Sequence, residues 1–105
     1  MNSYHKFILQ PNQEKLKVGN RYFVESRYQK AICVYEGIIK SLDFPLDSFS
    51  GLKGIQDLLK EISKLRASCF VNLGNCYKRT RDVVAAKTCY QKALEFDEQV
   101  AQRKF

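Results

Sequence analysis

Histidine occurs once in these 105 residues, and the four cysteines never form a C-x-x-C pair. With His5 as the single imidazole, neither a Ser/His/Asp nor a Cys/His catalytic arrangement can be assembled around it, and no Gly-rich phosphate loop is present. Cys33, Cys69, Cys76 and Cys89 also lack the spacing of zinc ligands. No catalysis, metal or cofactor is therefore expected. A run of about 18 uncharged apolar residues is missing too, and Lys6 interrupts the short apolar patch at the start, which argues against a membrane-spanning helix and a signal peptide. The expected compartment is cytoplasmic or nuclear. Each cysteine is accordingly read as a reduced packing residue beside an apolar helical position, as Cys33 is between Ile32 and Val34.

A dense basic run is likewise lacking, although the formal net charge is +7 and the pI about 9.3. Lysines and arginines are spread along the chain, with Lys78, Arg79 and Arg81 the tightest cluster. This balance favours acidic partners by long-range attraction without naming one. Nucleic-acid binding is not expected, because it calls for a basic stripe with exposed aromatics, whereas Tyr22, Tyr35, Tyr77 and Tyr90 occupy packing positions.

What the chain does contain is an internal repeat. Val18, Gly19, Tyr22, Tyr28, Ala31, Tyr35 and Ile38 recur as Leu73, Gly74, Tyr77, Val83, Ala86, Tyr90 and Ala93, each displaced by the interval that separates Gly19 from Gly74. Within each copy a glycine and an alanine stand among bulky apolar neighbours at helical spacing, as where two helices press close.

The periodicity predicts helices throughout. Residues 1–11 read as an irregular leader, and a helix begins near Pro11 or Asn12, where the missing proline amide has no partner to lose. Leu16, Gly19, Tyr22 and Phe23 mark this helix, Glu25-Ser26-Arg27 breaks it, and Tyr28, Ile32, Tyr35, Ile38, Ile39 and Leu42 mark the second. Residues 43–54, with Pro45, Gly51 and Gly54, form an insert loop whose Phe44, Leu46, Phe49 and Leu52 suggest that it is tucked down. Ile55, Leu58, Ile62, Leu65, Cys69, Leu73 and Cys76 then trace one stripe along a single long helix. Asp82 is placed to cap a fourth helix, over Val83 to Phe96. Residues 98–105 read as the start of a further helix.

Helix pairs with this pattern of small and aromatic residues resemble the tetratricopeptide repeat, whose unit is roughly 34 residues. The second copy fits closely through Phe70, Leu73, Gly74, Tyr77, Ala86, Tyr90 and Ala93. The first departs at Lys15, where a large apolar residue is usual, and at Ile38, where alanine is usual. The long insert makes the chain similar to the repeat domains of immunophilin-type chaperone partners. The resemblance implies an all-α, antiparallel helix-pair solenoid over residues 12–105, with one repeat over about 12–42 and a second over about 55–97.

It also implies a concave peptide groove. That groove should be lined by Gln13, Leu16, Asn20, Phe23 and Val24 from the first repeat and by Ser68, Asn72, Asn75, Lys78 and Arg79 from the second. Chaperone-binding members grip a peptide's terminal carboxylate and an acidic side chain with lysine, asparagine, asparagine, lysine and arginine. Asn20 and Asn72 hold the two asparagine places. Leu16 and Gln102 stand at the lysine places, and the arginine place falls just past Phe105, so Lys15, Lys17, Lys78 or Arg79 would have to substitute.

The resulting expectation is a non-catalytic adaptor for a protein or peptide partner, with an acidic heat-shock chaperone tail as the specific candidate. The alternative is a structural assembly module. Two helix pairs and a stub leave one apolar face open, which calls for self-association, a partner helix or further residues to cover it.

Overall fold

The computed structural model describes residues 5–43 and 55–97. Four α-helices follow a π-helical turn at His5–Leu9: α1 at Gln10–Val24, α2 at Tyr28–Ser41, α3 at Ile55–Arg79 and α4 at Val83–Phe96. The described residues contain no strand. Each helix packs on its neighbours in the chain, α3 lying against both α2 and α4. This is an all-α, antiparallel helix-pair solenoid. Most of the insert loop and the expected opening of a further helix lie outside the described residues.

The two hairpins close in the same way. Ser26 N–H donates to the Phe23 carbonyl and Arg27 N–H to that of Tyr22, while Arg81 N–H donates to Lys78 and Asp82 N–H to Tyr77. Ser26 and Arg81 both carry positive φ, 62° and 66°, as the paired bonds of this helix ending require. The copies differ at the next helix start. Asp82 Oδ1 accepts the Ala85 amide at 3.1 Å, whereas Arg27 at the equivalent position makes no side-chain cap.

Two clusters form the core. One joins Ala31, Ile32 and Tyr35 of α2 to Phe70, Val71, Leu73 and Cys76 of α3 and to Cys89 and Ala93 of α4. The second joins Leu9, Ile38 and Leu42 to Ile55, Leu58, Ile62, Leu65 and Cys69. The length of α3 serves both: its 25 residues span about 37 Å. The leading half covers the end of α2 and the N-terminal turn, and the trailing half builds the second hairpin.

Three expectations are corrected here. Residues 5–11 are helical rather than irregular, because Leu9 buries itself in the second cluster and Asn12 Nδ2 donates to the Ile8 carbonyl at 2.7 Å. The segment is too short for its period to show in the sequence. Helix α1 accordingly starts at Gln10, with Pro11 in its first turn. Cys33 is exposed, unlike Cys69, Cys76 and Cys89. Helix α2 buries Ala31, Ile32, Tyr35 and Ile38, and at about 100° per residue position 33 falls on the opposite side.

Candidate functional site

Each glycine of the repeat gives way to a tyrosine from the partner helix. A Cβ added at Gly19 would lie 2.7 Å from Tyr35 Cε1, and one at Gly74 would lie 2.7 Å from Tyr90 Cε1. The contact thus falls one turn beyond the alanine of the same hairpin. Threaded past the glycine, the tyrosine reaches the residue that follows it. Tyr35 Oη donates to Asn20 Oδ1 at 2.7 Å, and Tyr90 Oη donates to Asn75 Oδ1 at 2.6 Å. Burial raises the pKa of both phenols above the ordinary tyrosine value, most strongly at Tyr35, where nearby Cys76 and Cys69 add to the rise and a hydrogen bond from Asn72 opposes it. Both phenols therefore remain donors at neutral pH.

The two repeats are also linked across the groove. Asn72 Nδ2 of α3 donates to Asn20 Oδ1 of α1 at 3.0 Å. The Asn20 oxygen thus accepts from Tyr35 and Asn72 together, and its NH2 group is left to donate. Asn20, Phe23, Val24, Tyr35, Asn72 and Asn75 line a concavity of about 280 Å³. Phe23, Asn75, Lys78 and Arg79 line a second, of about 460 Å³. Amide donors, cations and one aromatic floor form a surface suited to carboxylates and peptide carbonyls.

Seven of the ten residues expected in the groove, namely Asn20, Phe23, Val24, Asn72, Asn75, Lys78 and Arg79, come together at these two concavities. Leu16 does not: it is partly buried and packs against both core clusters. Gln13 and Ser68 line neither concavity, while Val24 is 82% exposed at the rim of the first. The sequence reading missed Tyr35 and Tyr90 as residues that orient the asparagines, treating them as packing alone. The signal was present as Gly19-Asn20 and Gly74-Asn75, each answered by a tyrosine at the same later position.

On the opposite side, a groove of about 600 Å³ runs between α2 and α4. Phe70, Leu73, Tyr77 and Cys89 form its apolar lining, with Glu36, Lys40, Asp43 and Lys92 among its other walls. Burial pushes the Cys76 thiol up to about 11 and the Cys69 thiol to about 12. No group of acidic, cysteine and histidine side chains among the described residues could hold a metal ion. None of the described helices is long and apolar enough to cross a membrane.

Stacked helix pairs with a concave row of donors define a helical-repeat protein of the kind that makes protein–protein contacts. Residues 67–100 match the tetratricopeptide repeat family, so the chain carries a tetratricopeptide repeat there. It is 33% identical over 97 residues to the peptidyl-prolyl cis-trans isomerase FKBP4 of Rattus norvegicus, a match covering 92% of this chain and 19% of that protein. It is 32% identical over 79 residues to FKBP4 of Mus musculus, covering 75% of this chain and 16% of that protein. The chain thus spans under a fifth of the length of these relatives. The likeness lies in their tetratricopeptide-repeat region, an interaction module rather than catalytic machinery. No solved structure gives a significant match.

Proposed function

We propose that this chain is a non-catalytic adaptor that binds an extended acidic peptide, ending in a free carboxylate, along the concave face of α1 and α3. The observation that carries this reading is the Tyr35–Asn20–Asn72 arrangement, which engages the Asn20 oxygen and leaves amide hydrogens to face a ligand. The net charge of +7 favours the encounter. An acidic heat-shock chaperone tail is one peptide of this class. The module takes residues 12–105 as one unit and acts in the cytoplasm or nucleus.

The groove departs from the chaperone-binding pattern at Leu16, which packs inward where a lysine would reach the ligand. Binding by the asparagine pair is therefore modest, in the micromolar range. Fluorescence anisotropy with a labelled acidic peptide tests this, comparing wild type with Asn72→Ala. A hydrogen bond to a charged group contributes about 1.5–3 kcal/mol, so the variant should bind at least about tenfold more weakly. Equal binding by both proteins, or none by either, counts against the groove.

A second reading, a structural module that packs helices of a larger assembly or of another copy, draws support from the apolar groove between α2 and α4. Light scattering distinguishes it. A concentration-dependent mass in the absence of peptide favours assembly, and a constant monomer mass favours the adaptor.

A further inference from the structure

We propose that copies of this chain stack head to tail, the outer face of α1 and α2 in one copy receiving α4 of the next. The inference deepens the assembly reading above, rests on it, and names the partner as a second copy of this chain. The interior of the molecule supplies the template. Ile32 and Tyr35 of α2 share a buried cluster with Phe70 and Leu73 of α3, and Ile39 packs against it. At the repeat interval, the α2 residues of this contact recur in α4 as Lys87, Tyr90 and Leu94, and the α3 residues recur in α1 as Lys15 and Val18. Each end of the molecule thus shows one half of an interface that the middle completes. Leu73 is 5% exposed, whereas its counterpart Val18 is 41% exposed. Leu94 is likewise exposed where its counterpart Ile39 is half-buried.

The hollows agree with this register. Tyr22, Lys30, Cys33 and Val34 line a concavity of about 350 Å³ on the outer side of the first hairpin. Their counterparts Tyr77, Ala85, Thr88 and Cys89 line the groove of about 600 Å³, which α2 closes from its far side with Ile39 and Lys40. Among the described residues only α1 and α2 supply the lining of the first concavity, and α4 of another copy carries the residues that match the missing wall, Leu94 and Glu95. Charge fits as well. In the internal groove Lys40 stands with Phe70 and Ala85. In the stack their counterparts are Glu95 from one copy and Lys15 and Lys30 from the other, a carboxylate between two ammonium groups. None of these three takes part in the four ion pairs among the described residues. Because the two contacting faces differ, each addition leaves a face open and the stack does not close on itself. Lys87 in the place of the buried Ile32 opposes the contact, as does the net charge of +7. The association is therefore weak and needs high protein concentration.

Sedimentation equilibrium of the full chain, up to submillimolar concentration and at physiological salt, tests the stack; reductant keeps the exposed Cys33 from forming disulfides. Val18→Glu blocks the head and Leu94→Glu blocks the tail, both at exposed positions, and circular dichroism checks that each variant keeps its helices. Should one lose them, Lys15→Glu or Glu95→Lys replaces it on the same face. Wild-type mass should rise with concentration past twice that of the monomer. Each variant alone should stay a monomer, and an equimolar mixture of the two should reach twice the monomer mass and stop, since it holds one intact head and one intact tail. Wild-type association that survives in both variants, or variants that stay monomeric when mixed, overturns the head-to-tail stack and leaves the assembly reading standing on another surface. A wild type that stays monomeric throughout overturns the stack and self-assembly together.

Discussion

At the residue scale, the repeated glycine exists for a tyrosine. Alanine at position 19 or 74 would bring a methyl group to 2.7 Å from the aromatic ring, and the ring cannot swing aside freely because its hydroxyl is bonded to Asn20 or Asn75. Overpacking of this kind costs about 1–3 kcal/mol. The better helix propensity of alanine returns about 1 kcal/mol. Urea unfolding of Gly74→Ala should therefore show a net loss of about 1 kcal/mol. A variant as stable as wild type would mean that the ring relaxes without resistance, and that the tyrosine does not fix the asparagine.

At the scale of elements, the turns after α1 and α3 share one backbone form with different side chains. Arg81 holds a φ of 66°, a region that favours glycine. Replacing it with glycine should raise stability by about 0.5–1 kcal/mol, since the turn is kept and its strain relieved. Asp82→Ala acts in the other direction: it removes the cap on the Ala85 amide and should lower stability by about 1 kcal/mol. Thermal melts of the two variants should move apart, and shifts of the same sign would contradict this account of the turn. Arg81 also belongs to the tightest basic cluster, yet its backbone role is independent of charge.

For the molecule as a whole, the core holds thiols and a phenol in neutral form, which makes folding sensitive to alkali. Burial raises Cys69 from 9.0 to about 12 and Cys76 from 9.0 to about 11. As pH rises above about 9, the unfolded chain releases these protons before the folded one does. Stability therefore depends on pH with a negative slope there. The contribution is complete below pH 9 and declines through the interval up to the folded values. Melting temperature under reducing conditions should fall progressively above about pH 9, and less steeply in Cys69→Ala. A curve as steep in the variant as in wild type would place the sensitivity elsewhere.

The sequence by itself determined the helices, their pairing and the repeat, because apolar spacing records which face each helix must bury, and Gly19 with Gly74 records where two helices approach. It also named Asn20, Phe23, Asn72, Asn75, Lys78 and Arg79, which the fold gathers on one concave wall. Tertiary structure alone decided what those residues do to each other. Periodicity carries no information about which tyrosine threads past which glycine, that the Asn72 amide meets Asn20 on another helix, or that Leu16 turns into the core. Those contacts join residues distant in the chain, and the angles between packed helices, which no local pattern encodes, set their distances. The short turn at His5–Leu9 follows the same logic, since its burial depends on a neighbouring helix and not on its own neighbours in sequence, whereas the outward Cys33 follows from the period of α2 itself.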